Sequence, residues 1–119
     1  MAIPNIVSVS SIYGTTAVGV LTTTLTTTLV TAASDKVLKI NVIRCTNITD
    51  NDATVTLDVE VSGTHKKIAN EVTVPANSVV DIVDKNSSFY LQETDLLRGC
   101  ASTGSAIDFM VSYEILDDA

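Results

Sequence analysis

The sequence predicts an all-β fold, an antiparallel β-sandwich of about eight short strands, and three observations lead to this class. Apolar and polar residues alternate with a period of two in several segments, most clearly over 107–116, where Ile107, Phe109 and Val111 alternate with more polar neighbours. Turn-forming residues recur about every eight to twelve positions. No segment has a helical period or a capping box. Eight strands also fit a jelly-roll-like double sheet, and their spacing leaves the strand order open.

The composition is that of one folded domain. The chain has 119 residues, 45% of them hydrophobic and only 18% charged, so Thr, Ser and Asn must supply much of the polar surface. Aromatic residues make up 4% and there is no Trp. We therefore expect a core of Val, Ile and Leu, and few aromatic platforms for bases or sugars.

We expect residues 1–16 to form an extended N-terminal arm and residues 17–119 to form the sandwich. Pro4 cannot join a central ladder. The apolar residues that follow are interleaved with Ser and interrupted by Gly14, so they fall short of a firm strand. An apolar arm has little use in a lone domain, which indicates contact with another molecule.

A threonine-rich tract over 21–31 is predicted to be a strand. Six threonines lie between Leu21 and Leu29, and β-branched side chains favour the pleated conformation. As a strand, one face carries Leu21, Leu25 and Leu29, while the other is uncharged and flat. Together with the arm, this face gives the candidate interface: Ile3, Pro4, Ile6, Val7, Val9, Ile12, Tyr13, Thr22, Thr24, Thr26 and Thr28.

The remaining strands follow from alternation and turn signals. Over 36–46, Ile43 and Cys45 break the alternation set by the inward residues Leu38, Ile40 and Val42, so this strand either carries a bulge or is buried on both faces. The segment 54–61 alternates most regularly, and its inward residues are Val55, Leu57, Val59 and Val61. Further strands are predicted at 67–74, 79–83, 89–91, 96–101 and 107–116.

No group of residues has the pattern of a catalytic site. His65 follows Gly63 in a polar turn and is interpreted as solvated. There is no nucleophile elbow, phosphate loop or dinucleotide fingerprint, and the Cys and His residues are too few and scattered for zinc. We therefore expect no enzyme activity, no cofactor and no metal. Cys45 and Cys100 are interpreted as reduced, buried thiols, which form a disulfide only if their strands are neighbours.

Two acidic turns contain oxygen ligands that a cation could use. Asp50 and Asp52 lie in one turn, and Glu93 and Asp95 in another, but neither has the ordered spacing of a calcium loop. Because Asp and Asn also start turns by bonding their own backbone, turn chemistry is the preferred interpretation. Arg98 is expected to form a structural ion pair with Glu93 or Asp95.

The charge of the chain bears on its partners. Its formal net charge is −7, and no basic cluster exists beyond Lys66 and Lys67, so a phosphate backbone would be repelled. We expect no nucleic-acid partner. The N-terminus has no secretory signal and no apolar run is long enough to span a bilayer, so we expect no membrane association and folding in a cytoplasm.

The C-terminal third resembles a known group of proteins. Its sequence runs Phe-Tyr-Leu-Gln-Glu-Thr-Asp-Leu-Leu-Arg over 89–98, followed by Ser-Tyr-Glu-Ile over 112–115. Ile-Pro-Asn-Ile-Val over 3–7, the threonine tract and Val-Leu-Lys-Ile-Asn over 37–41 are also similar. These residues resemble small virion structural proteins of tailed bacteriophages, especially those of marine bacteria. Where such proteins often have Gly in the acidic turn, this chain has Thr94.

The resemblance implies a capsid decoration (cement) protein, located on the capsid surface of a virion and assembled in the host cytoplasm. Its partner would be the major capsid protein, and it would form a homo-oligomer, with a trimer favoured. One alternative keeps the virion but places the chain in the tail, neck or fibre base. Another is a carbohydrate- or host-surface-binding module. Sugar sites usually present aromatic faces, and this chain has few aromatic residues to form them.

Overall fold

A computed structural model describes residues 11–117 except Thr26 and Lys85, and in this part of the chain it has nine strands. Their bounds are as follows: β1 Ser11–Val20, β2 Thr28–Thr31, β3 Lys36–Asn47, β4 Ala53–Val61, β5 Thr64–Val74, β6 Val79–Val83, β7 Phe89–Leu91, β8 Leu96–Ala101 and β9 Ile107–Asp117. Among the described residues there is no helix long and apolar enough to cross a membrane.

The strands form two antiparallel sheets packed as a sandwich, which confirms the predicted fold class. The first sheet has the order β1-β9-β3-β6, with β7 also paired to β3, and the second has the order β2-β8-β4-β5. When β7 is set aside and the other eight strands are lettered B to I, these orders are BIDG and CHEF. That is the arrangement of a jelly roll. The predicted strands at 79–83, 89–91 and 96–101 are confirmed to the residue.

Strand β3 is bent by a β-bulge at Asn41. Ile40 pairs with Tyr113 of β9 but Val42 pairs with Ser112, so Asn41 is the extra residue. The bulge changes which residues face the core: Leu38 and Ile40 are buried before it and Ile43 and Cys45 after it. The bulge is therefore the correct one of the two predicted explanations. Val42, predicted to point inward, is only half-buried.

Strand β4 departs from its predicted alternation near its middle. Val55 and Leu57 are fully buried as expected, but Asp58 is buried too, and Val61 is exposed. The pairing of β4 with β5 shifts register on both sides of Leu57. The prediction that Val59 and Val61 point into the core is therefore wrong at Val61, and Val59 is only half-buried, packed against the core.

The prediction of a strand over 21–31 is wrong for its first seven residues. Only Thr28–Thr31 forms a strand, because the chain must cross from β1 in one sheet to β2 in the other. Leu21 is fully buried and anchors the crossing, and its backbone N–H donates to the Ile107 carbonyl at 2.8 Å. The Thr22 hydroxyl accepts from the Thr24 backbone N–H at 3.3 Å. Threonine hydroxyls thus bond the local backbone here instead of lining a strand.

The boundary of the predicted arm also changes. Residues 11–16 belong to β1, which pairs with β9 in regular register from Ser11 opposite Asp117 to Val20 opposite Asp108. Residues 1–10 lie outside the described part of the chain.

The acidic turn at 93–95 ties three turns together at one end of the sandwich. Asp95 is buried, and its carboxylate accepts from the backbone N–H groups of Ser62 at 3.2 Å and Gln92 at 3.1 Å. Glu93 accepts from the Asp35 N–H at 2.7 Å. Asp35 and Ser62 have positive φ, at 60° and 52°, and Thr94 has φ 71°. The turn therefore needs the left-handed backbone that glycine adopts most easily, and Thr94 adopts it here.

Gly99 on β8 gives a test of core packing. A Cβ atom at this position would lie 2.6 Å from Cδ2 of Leu57 and 3.2 Å from Cδ1 of Leu29. We expect Gly99→Ala to lower the free energy of unfolding by about 1–3 kcal/mol, because the added methyl group would overpack the core. Gly104→Ala is the control, since its nearest neighbour, Thr23, is 3.9 Å away. Equal losses in urea denaturation of the two variants would contradict this packing.

Candidate interaction surface

Strand β1 is a long sheet edge with exposed apolar side chains. It lies at the end of its sheet, so in the described structure only β9 pairs with it. Its ten residues include no charged side chain. Ile12 is 60% exposed and Val18 is 73% exposed. An unpaired row of backbone N–H and C=O groups beside apolar side chains is a template for pairing with another strand.

The other three edges of the two sheets, formed by β5, by β2, and by β6 with the three-residue β7, lack this combination. Strand β5 carries His65, Lys66, Lys67 and Glu71, and its pairing with β4 is irregular. Strand β6 has five residues, contains Asp81 and shifts register against β3. Strand β2 has four residues and is also irregular. Charges, short length and bulges are the usual protections of a sheet edge, and β1 has none of them.

A shallow groove of about 560 Å³ lies at the carboxyl end of β1. Val18, Val20 and Met110 line it together with Gly19, Thr46, Asp108 and Phe109. Val18 pairs with Met110 and Val20 with Asp108 across the β1–β9 ladder, so alternate residues of the two strands bring these side chains to the outer face. The groove therefore extends the apolar edge onto the outer face of the sheet.

The predicted interface residues that the structure describes do not form one patch. Ile12 and Tyr13 lie at the amino end of β1, and both are exposed. Thr22 and Thr24 are exposed in the connection that follows the carboxyl end of β1, and Thr28 is exposed on β2. Ten residues of extended strand span about 33 Å, so Ile12 is far from the two threonines of the connection. The predicted Ile3, Pro4, Ile6, Val7, Val9 and Thr26 lie outside the described residues.

Val18 and Val20 are exposed apolar residues of β1 that the predicted interface does not include. The signal for them was present: residues 11–20 are free of charge, and Ala17 to Val20 alternates small residues with valines. That pattern is typical of a strand. The predicted arm ended at residue 16, however, so the first six residues of β1 were assigned to the arm.

A bidentate ion pair joins the two central strands of the second sheet. Arg98 Nε lies 2.9 Å from Asp58 Oδ1, and Arg98 Nη2 lies 2.5 Å from Asp58 Oδ2. The two residues are directly opposite in the β4–β8 register, and the Asp58 side chain is only 3% exposed. The hydrogen bond from Arg98 to Asp58 raises the pKa of the guanidinium. The prediction that Arg98 forms an ion pair is confirmed, but its partner is Asp58 and not Glu93 or Asp95.

His65 lies beside this ion pair at the start of β5. Its side chain is 42% exposed, with Nε2 3.3 Å from Glu60 Oε1 and Nδ1 3.9 Å from Asp58 Oδ2. The predicted solvated histidine therefore sits over two carboxylates. Cross-strand placement explains this, because His65 is directly opposite Glu60 in the β4–β5 register.

A second, exposed ion pair lies in the first sheet. Arg44 Nε is 2.7 Å from Asp81 Oδ1, and both side chains are more than 40% exposed. The hydrogen bond from Arg44 holds the pKa of the Asp81 carboxyl below its ordinary value. Water screens this pair far more than the Asp58–Arg98 pair.

Side chains of the oxygen-rich turn at 47–52 form hydrogen bonds within the turn and to the segment 74–77. Asn47 is buried, and its side-chain amide donates to the carbonyls of Asn51 at 2.8 Å and Val74 at 3.0 Å. Asp50 accepts from the Asn77 side chain, and Asp52 accepts from the backbone N–H of Ala76, each at 3.0 Å. Within the described ranges no cluster of three or more His, Cys, Asp or Glu is arranged to hold a metal ion.

The two cysteines lie in different sheets and are both free. Cys45 on β3 is fully buried, whereas Cys100 on β8 is half-buried. Burial raises the pKa of the Cys45 thiol to about 12, and the charge of Asp81 adds to this effect. Both cysteines are therefore free, as expected, and Cys100 is less buried than predicted.

Comparison with known proteins adds a distant structural likeness. No family model matches the chain, and no curated protein matches it. Among solved structures, the chain is similar to one described under the heading "Bacillus endospore appendages form a novel family of disulfide-linked pili". The two share 16% identity over 88% of this chain and 86% of that chain, with a TM-score of 0.47. A likeness of this size carries no argument about function.

The Asp58–Arg98 pair gives a stability prediction. Arg98→Met keeps most of the side-chain volume but leaves the Asp58 carboxylate buried without its partner. We expect the free energy of unfolding to fall by about 3 kcal/mol, measured by chemical denaturation. The matched control is Arg44→Met, which breaks the exposed pair with Asp81 and should cost far less. Similar losses in both variants would contradict the assigned burial of Asp58.

The Cys45 thiol gives a chemical prediction. In a Cys100→Ser variant, we expect the remaining thiol to be unreactive toward an aromatic disulfide reagent at pH 8 until the chain is unfolded, because the buried group stays protonated. In the Cys45→Ala variant, the half-buried Cys100 should react without unfolding. Rapid reaction of Cys45 in the folded chain is the result that counts against its burial.

The same thiol predicts a pH dependence. Its pKa is raised from 9.0 to about 12 in the folded chain, so the unfolded chain loses the proton first as pH rises. The stability that Cys45 contributes is complete below pH 9 and declines between pH 9 and about 12. The stability difference between the natural chain and Cys45→Ala should therefore shrink across this range in denaturant titrations.

Proposed function

We propose that this chain is a structural subunit of a tailed-phage virion, namely a capsid decoration protein that stabilises the head through contacts with the major capsid protein. Two things support the proposal. One is the resemblance of the segments 89–98 and 112–115 to small virion structural proteins of tailed phages. The other is the uncharged edge of β1, whose exposed apolar side chains suit a protein that acts by contact.

The β1 edge is the observation that carries the proposal. In a protein that stays monomeric, a ten-residue edge is normally protected against pairing with other strands. In this chain, lysines and a bulge protect the β5 edge in this way. We expect an edge that is left regular and apolar to be covered by another protein chain, either a second copy or a capsid protein. A subunit of a large assembly meets this condition.

The framework is suited to repeated contact because its turns are held by side chains. Asp95, Asn47 and the Asp58–Arg98 pair each fix segments distant in sequence. Surfaces held in this way lose little conformational entropy on binding, so small contacts add up over a shell. The net charge of −7 suits an outer surface that must stay soluble at high copy number.

The experiment that tests the function uses the N-terminal residues. We propose that Ile3, Pro4, Ile6, Val7 and Val9 contact the shell. Removing residues 1–10 leaves β1 intact, so the shortened chain should keep its thermal midpoint while its occupancy on purified empty heads falls at least tenfold. Unchanged occupancy would show that these residues do not attach the chain.

Copy number separates the head from the tail. In purified particles, a decoration protein should approach the abundance of the major capsid protein, measured by quantitative mass spectrometry. A ratio of only a few to about a dozen copies per particle would instead place the chain in the tail, neck or fibre base.

A further inference from the structure

We propose that β1 pairs antiparallel with β1 of a second copy of this chain, joining the two β1-containing sheets across a twofold axis at Thr16. This inference rests on the β1 edge alone and holds whether or not the chain belongs to a capsid. It names the partner of the edge and the register in which the two strands meet.

The first step is the symmetry of the edge. A strand that pairs with its own copy forms an isologous contact, and the outer face of one sheet must continue into the outer face of the other. Side chains alternate along β1, so only registers that pair even-numbered with even-numbered residues keep the faces matched. An axis through Thr16 satisfies this and brings nine residues, 12–20, into pairs.

The second step is the fit of side chains on the outer face. In this register Ile12 of one copy lies opposite Val20 of the other, and Gly14 lies opposite Val18. Ile12 and Val18 are among the most exposed apolar residues of the described chain. The copy's Ile12 is then placed beside the groove of about 560 Å³ whose walls include Val18, Val20 and Met110. Each copy thus supplies one apolar side chain to the groove of the other.

The third step is the fit on the inner face. Tyr13 lies opposite Gly19 in the same register, a pairing in which a large ring covers a residue without a side chain. The ring of Phe109 already lies over Gly19, because a Cβ there would be 2.8 Å from Phe109 Cε2. The exposed Tyr13 of the copy would pack beside the half-buried Phe109, and aromatic pairs of this kind stabilise interfaces.

Charge favours a second copy over a charged partner. With a net charge of −7, two copies repel each other over most of their surfaces. The β1 edge is the longest strand without charge, so it is the place where two copies approach with least repulsion. A partner that presented a basic strand would find no carboxylate on β1 to pair with.

The test places like charges on the proposed axis. Thr16 is exposed and would face its own copy, so Thr16→Lys and Thr16→Glu should each weaken the dimer at least tenfold in sedimentation equilibrium. An equimolar mixture of the two variants should restore a dimer, because opposite charges then meet. Ile68→Lys is the matched control: it adds the same charge to an exposed apolar site on the β5 edge and should leave the dimer unchanged.

Several outcomes would overturn the proposal. One is a natural chain that stays monomeric at the highest concentration used in sedimentation equilibrium. The others are dimers that survive both Thr16 variants and a mixture of the two variants that stays monomeric. A trimer, which the family resemblance implies, would also overturn it, since a strand paired with itself closes as a dimer. Loss of capsid attachment with the dimer intact would concern the proposed function and leave this pairing standing.

A second measurement does not depend on the charged variants folding. In a Cys100→Ser chain, Thr16→Cys should form a disulfide-linked dimer under mild oxidation, because facing Cα atoms of an antiparallel strand pair lie about 4.5–5.5 Å apart, within the range that a disulfide spans. Thr23→Cys, on the exposed connection after β1, is the control and should remain uncrosslinked. Equal crosslinking at both positions would contradict the twofold register.

Discussion

The bulge at Asn41 is the constraint on which the first sheet depends. Asn41 is the extra residue between Ile40 and Val42, and its side chain donates to Glu114 of β9 at 3.1 Å. Because a one-residue insertion reverses the face of every later side chain, the bulge lets both halves of β3 bury their apolar residues. It also divides the other edge of β3: β7 pairs with Leu38 to Ile40, and β6 pairs with Ile43 to Thr46. The bulge therefore lies between the part of β3 that pairs with β7 and the part that pairs with β6.

Hydrogen bonds from side chains connect the turns at the two ends of the sandwich. The acidic turn at 93–95 holds two turns of positive φ through carboxylate oxygens, and Asn47 holds the opposite loops through its amide. Buried polar groups of this kind are stable only when fully bonded, and in the described residues every buried side-chain N or O atom has a partner. Residues that looked like candidate cation ligands in the sequence are thus structural hydrogen-bond acceptors.

The sequence predicted the strands of both sheets well where alternation was supported by turns, as in 79–83 and 107–116. It failed where tertiary constraints outweigh local preference. Six threonines favour a strand, yet the chain has to cross between sheets after Val20, and hydroxyl groups can satisfy the backbone in that crossing. The sequence predicts that Arg98 pairs with its acidic neighbours Glu93 or Asp95. Its partner in the structure is Asp58, which lies 40 residues away in sequence and directly opposite in the β4–β8 ladder. Local sequence does not determine the register between strands, so Asp58 could not be identified as the partner of Arg98 from spacing alone.

The treatment of the four sheet edges is the feature that connects structure to function. Lysines and a bulge protect β5, and short length and register shifts protect β6 and β2. These three edges are therefore poorly suited to pairing with another strand. Strand β1 is longer than two of these three and regular over all ten pairs with β9, yet it carries no charge. If β1 remained open in the working molecule, its exposed valines and isoleucine would make it an aggregation site. A bound strand removes that hazard and converts the same unpaired groups into hydrogen bonds, so the least protected edge is the one adapted to contact.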